Sequence, residues 1–476
     1  MKRLTGKYFF SAKKILFFAL SLFVWVTSIV AQTSTIPEPK LQIHSADTEL
    51  EESTAEVEES EKDKELNVLR YGLDDEIVKM LDGFMKEEKY PYLEQVFNLF
   101  QRTRTTSLRE KIIMYFTEAK DPSLVDYTLM ILEDPFDEKT STVSLLFKYA
   151  SAIKLTEAAP FAKSLLENDN TEYFDSALSS LAEIGSPDDA VFLATYLERD
   201  DLSTAQRQSV MKALGKLKAV ETWDQLVSIT QDEDENTFVR MYAAEAIGAM
   251  EKPESVSILV DLFESTDPNF RTSVVKALGH YPNDESAVST IIEAIRDSHY
   301  KVRLEAISSI KQMNLLQAAP YVLYRAKNDP ESTVKYACYD LLAELDYKDG
   351  IEYLKSLLKE KNIGDTAKAK VAEALLKQGS QSSVDAVIEL AKETLADDKK
   401  KQLRYALGKL FASNENPAYD EICLAYLQSD DVSTVGTGLD IYAKNRFPSV
   451  TLEVEKLADS EKNSVNKTKA RKILDR

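Results

Sequence analysis

Apolar residues recur along this chain with two periods. The short period is helical. In FVRMYAAEAIGAM (Phe238–Met250), Ala243 and Ile247 stand four residues apart, on one face of a helix. The long period is close to 32 residues. Nearly the same pattern returns in NFRTSVVKALGHY (Asn269–Tyr281) and in KVRLEAISSIKQM (Lys301–Met313), with different polar letters each time. Aligning on Arg240, Arg271 and Arg303 extends the register in both directions. It runs through Asp74, Arg109, Thr142, Phe174 and Arg207 before them, and Lys335, Lys368, Lys400, Val432 and Lys467 after them.

Three residues past each anchor stands a small or apolar side chain, from Ile77 and Ile112 to Val435 and Ala470. Seven residues past it stands another, from Leu81 and Phe116 to Leu439 and Leu474. The two columns share a helical face. Between these helices lies a second amphipathic pattern, as in PESVSILVDLFES (Pro253–Ser265). Proline often opens it, at Pro122, Pro187, Pro253, Pro417 and Pro448. The first helical turn tolerates proline, whose missing N–H would be unpaired there. Each unit is therefore predicted to be two helices, and no strand-like alternation of comparable length appears. A two-helix unit of about 32 residues cannot cover its own apolar face, whereas a stack of them can. The expected fold class is all-α: an α-solenoid of about twelve antiparallel helix pairs over residues 66–476.

Two motifs carry a family resemblance. Asp and Arg recur six apart as Asp201/Arg207, Asp234/Arg240 and Asp297/Arg303, with Asp329/Lys335 as a variant. The pattern V-R-x-x-A-x-x-A-[IL]-G is met at Val239–Gly248 and, with substitutions, at Phe270–Gly279. These residues resemble HEAT repeats of the short, phycobilisome-lyase type. The resemblance implies a right-handed, armadillo-type superhelix. It implies that the Asp and Arg side chains tie neighbouring units near the turns, and that the second helices line a concave, partner-binding face. The basic anchor is missing at Asp74, Phe174 and Val432.

Charge and composition narrow the function. The formal net charge is -21, and residues 1–31 contribute five basic groups and no acid. So acidic a chain repels phosphate backbones, which argues against nucleic acid. Ile15–Ala31 is an apolar run behind basic residues and reads as a secretory signal or N-terminal anchor. The only membrane contact expected runs through residues 15–31, if they stay uncleaved. Residues 32–65 follow as an acidic tether, with ten acids against Lys62 and Lys64 from Asp47 to Glu65. The expected location is the periplasm or beyond.

Cofactor, metal and catalytic residues are not predicted. The three histidines, His44, His280 and His299, share no ligand spacing. Deoxyhypusine hydroxylases, which are HEAT-like enzymes, hold two irons with His-Glu pairs. Here Ser45, Tyr281 and Tyr300 follow the histidines. Cys338 and Cys423 fall almost three units apart, too far for a disulfide, and read as buried thiols. Some proteins with such repeats attach bilins; export argues against that role here, and a lyase- or isomerase-like enzyme ranks third, behind a scaffold and a spacer. The remaining candidate is the outward side of the second helices, two, five and nine residues past each anchor. It includes Tyr242, Glu245, Lys276, Glu305, Asp340 and Tyr405 as expected partner-binding residues. Tyrosines mixed with both charges suit a protein partner in the cell envelope. The other reading is a structural spacer with no specific ligand.

Overall fold

The computed structural model describes residues 61–168, 170–199, 201–460 and 464–474. The expected signal or anchor (1–31) and most of the expected tether lie outside the described residues. Among these residues the secondary structure is helical throughout, with twenty-six α-helices and short 3-10 turns between some of them.

The helices alternate in two series. The first helices of the units are α1 (Glu61–Tyr71), α3 (Leu93–Arg102), α5 (Val125–Glu133), α7 (Ala159–Glu167), α9 (Pro187–Ala194), α11 (Trp223–Gln231) and α13 (Glu254–Leu262), then α15 (Glu285–Ala294), α17 (Ala319–Asn328), α19 (Lys348–Lys359), α21 (Gln381–Leu395), α23 (Asp420–Leu427) and α25 (Thr451–Asp459). The second helices are α2 (Asp74–Lys86), α4 (Thr106–Ala119), α6 (Thr140–Ala152), α8 (Phe174–Ile184), α10 (Thr204–Lys216), α12 (Thr237–Ala249) and α14 (Pro268–Leu278), then α16 (Tyr300–Met313), α18 (Ser332–Glu344), α20 (Asp365–Gln378), α22 (Lys401–Ser413), α24 (Val432–Asn445) and α26 (Val465–Leu474). Each second helix packs on the next, from α2 through α26, and on a first helix beside it. The product is an α-solenoid of two helical layers.

There are thirteen pairs among the described residues, and the helical region starts five residues before the expected boundary. Asp63 and Glu65, expected in the tether, instead lie in α1. Leu69 anchors this helix in the core at 2 % exposure, and the Tyr92 hydroxyl donates to Glu65 at 2.7 Å.

The apolar columns form the core. Ile77, Ile112, Ala177, Val210, Ala243, Val274, Ala306, Cys338, Val371, Leu403, Val435 and Ala470 are all buried. Leu145 is only half-buried, and its neighbour Leu146 takes its place. The second column is buried from Leu81 to Leu439, while Leu474, in the last helix, is partly open. Small residues let the second helices approach closely. A Cβ on Gly248 would come within 2.6 Å of the Ala277 Cβ, and one on Gly215 within 3.0 Å of the Ala246 Cα. Local caps set the helix starts. Asp267 accepts from Asn269 N ahead of Pro268, and Ser203 accepts from Gln206 N. Pro187 opens α9 in its first turn, whereas Pro122 and Pro417 open 3-10 turns that lead into α5 and α23. Both cysteines are buried free thiols, and burial pushes the Cys423 thiol up to about 12.

Candidate functional site

The basic anchors do tie neighbouring units, but not through the pairs that stand six apart in sequence. Arg271 donates from Nε and Nη2 to the Asp297 carboxylate at 2.8 and 2.9 Å, across to the next unit. Its Nη1 donates to the Ser265 carbonyl, six residues back. Arg303 repeats the arrangement with Asp329 and with the Asp297 carbonyl. Each carboxylate therefore serves the arginine of the unit before it. Arg207 reaches Glu235 at 3.3 Å, while Asp201 pairs with Arg199. Arg240 donates to the Thr230 carbonyl and covers the Phe270 ring of the next unit at 4.7 Å. These groups are structural ties near the turns.

The outward side of the second helices carries the candidate residues. Three of the six meet. Tyr242 and Glu245 from α12 and Lys276 from α14 line one cleft of about 220 Å³, together with Lys212, Lys216 and His280. Its floor is Gly215, Ala246, Ala249 and Ala277, where the helices lie closest. The Glu245 carboxylate accepts from Ser273 Oγ at 3.0 Å and from Lys276 Nζ at 2.7 Å. Lys276 remains 54 % exposed at its side chain, as expected for this side. The Lys212 ammonium stands 4.6 Å over the Tyr242 ring. Burial pushes the His280 imidazole below its usual range, with Glu251 opposing that shift and Lys218 and Lys276 adding to it.

Glu305, on the next helix, is half-buried. Burial raises its carboxyl above the usual range, Lys276 opposes that and Glu245 reinforces it. Asp340 lines a separate cleft of about 530 Å³ with Lys311, Glu344 and Lys377. It too is raised by burial, and Lys377, at 3.9 Å, only partly offsets this. Tyr405 does not join either cleft. Its hydroxyl donates to Asp431 at 2.6 Å, and Asp431 caps α24 through Thr434 N.

Sequence reasoning missed Lys212 and Lys216. They stand five and nine residues past Arg207, at the offsets that selected the other candidates one unit later. Among the described residues, no three His, Cys, Asp or Glu side chains are gathered to hold a metal ion. His299 Nδ1 accepts from Lys301 N and caps α16, with its ring stacked on Tyr300. Among the same residues, no helix is long and apolar enough to cross a membrane.

Comparison with known proteins places this architecture. A curated relative, deoxyhypusine hydroxylase from Candida albicans (strain SC5314 / ATCC MYA-2876), is 24% identical over 217 residues, which are 44% of this chain and 64% of that protein. The chain thus spans less than two thirds of that relative's length. Among solved structures, the complex of CpcE and CpcF of phycocyanin lyase from Nostoc sp. PCC7120 is 15% identical, with 53% of this chain and 93% of that chain covered, at a TM-score of 0.30. Kap121p is 14% identical, with 87% of this chain and 54% of that chain covered, at a TM-score of 0.41. The model of the family described as Spirochaete HEAT repeat protein matches residues 69–473, which is nearly every helix of the stack. The chain belongs to the spirochaete HEAT repeat protein family.

Proposed function

We propose that this protein is a non-catalytic scaffold of the cell envelope that holds a protein partner along the outward side of its second helices. The observation that carries the reading is the cleft across α10, α12 and α14. There an aromatic ring, both charges and a floor of small residues converge on a side that the core does not need. Solenoids bind through such extended surfaces. The export of the chain rests on the apolar run Ile15–Ala31 behind its basic residues. The non-catalytic reading is supported by how the described histidines are used, since His299 caps a helix and His280 lies half-buried beside Lys276.

The test is capture from envelope extract by residues 61–476, with and without the joint change Tyr242→Ala, Glu305→Lys and Asp340→Lys. The variant should keep its helical signal, melt no lower than wild type and lose the captured protein. Capture equal to wild type would move the site to the first helices or the turns. A second reading is a spacer that binds nothing specific. It draws on the charged ties between successive second helices, such as Glu183 with Lys216 and Lys311 with Glu344. A wild-type chain that captures nothing specifically would favour it.

A further inference from the structure

The charges around the α10–α12–α14 cleft do not balance. Helix α10 carries Arg207, Lys212 and Lys216 and no acid, within a chain whose net charge is -21. Nearly every neighbouring cation already has a carboxylate. Lys216 binds Glu183, Lys276 binds Glu245, and Lys218, just past the helix, binds Glu251. Glu245, the one carboxylate that lines the cleft, is doubly occupied by Ser273 and Lys276. Among the described residues Lys212 has no carboxylate within ion-pair distance. Its ammonium rests on the face of Tyr242 instead. A lysine on a ring keeps most of its donors free, since the ring attracts the charge without accepting all three N–H bonds.

We infer that this cleft receives an acidic side chain of the protein partner, bound by Lys212 beside Tyr242. The inference rests on the scaffold reading and names the chemistry of the partner at that same site. The small floor residues matter as much as the charge. Gly215, Ala246, Ala249 and Ala277 leave room for an incoming Asp or Glu to lie against the helix backbones, with its carboxylate at the Lys212 ammonium. His280, whose imidazole burial pushes below its usual range, lines the same cleft and offers a further hydrogen-bonding group there. The partner's identity is set locally. The overall charge of the chain governs long-range encounter and is screened beyond about 8–10 Å at physiological salt, whereas an unbalanced cation in a cleft selects the group that touches it.

Zero-length carbodiimide cross-linking tests this. The full chain is mixed with envelope extract from its source cells, treated with carbodiimide, and its linked peptides are read by mass spectrometry. The expected product is an amide between Lys212 Nζ and an Asp or Glu of a captured protein, absent from the exposed control Lys361. The captured protein, once purified, should bind Lys212→Glu about tenfold or more weakly and Lys212→Arg within about threefold of wild type, with melting unchanged in both. Suppose instead that it links only through face carboxylates such as Asp340 and Glu344 to its own lysines, and binds Lys212→Glu as well as wild type. The acidic-side-chain inference then fails while the scaffold reading stands. If no residue on the second-helix side is linked to any protein, both fail.

Discussion

Arg303 and Asp329 stand twenty-six residues apart and share two hydrogen bonds of 2.8 and 2.7 Å, with both side chains at most 4 % exposed. The bond joins one unit to the next beneath the turns. Its charges are shielded from water, so each depends on the other. Asp329 also accepts from Glu331 N and lies 3.8 Å from Arg325. The geometry fixes the offset between α16 and α18, and Arg271 with Asp297 does the same for the pair before.

Asp329→Ala should therefore open the array locally. Removing one partner of a buried ion pair leaves the other charge uncompensated and costs about 3–5 kcal/mol. Because a repeat array need not unfold as one unit, hydrogen exchange in α16 and α18 is the proper readout. The double change Arg303→Met with Asp329→Leu should cost clearly less than the two single changes summed. Additive losses would mean that the pair is not coupled.

The glycines make a second, two-sided prediction. Gly248→Ala puts a methyl within 2.6 Å of the Ala277 Cβ and 2.7 Å of its Cα, which are backbone and a side chain that cannot retreat. Forcing α12 and α14 apart should destabilise by about 1–3 kcal/mol. Gly83, inside α2, has nothing within 4 Å of a Cβ. Gly83→Ala should stabilise by about 0.5–1 kcal/mol, through helix propensity alone. Thermal melting of the two variants in opposite directions checks both.

How much of this was legible in the sequence depends on the length scale. Helical periodicity located the core, because Val274 and Leu278 had to be buried for the stack to exist, and they are. It could not fix the anchor to within one turn. Lys400 falls in the register of Arg240 and Arg303, yet it precedes α22 in a 3-10 turn. Arg404 does the work instead. It is 2 % exposed and donates from Nε and Nη2 to the Thr394 carbonyl ten residues back, as Arg240 does to Thr230. A four-residue slip keeps Leu403, Leu407 and Phe411 on the same face, so the apolar pattern is blind to it. The bonds between units were equally hidden, since a carboxylate twenty-six residues away leaves no local signal. Lys276 is exposed, as its register predicts, but its ammonium is tied to Glu245 and not free. Lysine and glutamate side chains are long enough to reach the next helix, and Lys276 and Glu245 do.

Tyr405 illustrates the same point and is testable by pH. Its hydroxyl, with Thr434 next in importance, holds the Asp431 carboxyl well below the usual carboxylate range, against the effect of burial. A carboxyl depressed in the folded state stabilises above its unfolded pKa of about 3.9, and that contribution is lost as the pH falls through the folded value. Tyr405→Phe should cost about 1 kcal/mol at pH 7. It should also flatten the loss of stability below pH 4, because less remains to be lost. Equal acid sensitivity in the variant and wild type would assign the depression to Thr434 and Lys401 instead.

Glu305 makes the opposite prediction, and it bears on function. Burial raises its carboxyl, Glu245 reinforces the shift and Lys276 only partly offsets it. A carboxyl raised in the folded state is at its most favourable below its unfolded pKa of about 4.3, and it loses stability as the pH rises through the folded value. The direction of this shift predicts that ionising Glu305 weakens the fold at pH 7. Glu305→Gln should raise the melting temperature at pH 7, by an increment that shrinks toward pH 4, where the native carboxyl is itself protonated. A residue that weakens its own fold at working pH needs another reason to be charged, and a place on the proposed binding side supplies one. The same variant should then bind the captured partner more weakly than wild type while melting higher. A variant that melts lower at pH 7 would show that the carboxylate is stabilised in place. Glu305 would then be one more tie between units, and its claim to a binding role would lapse.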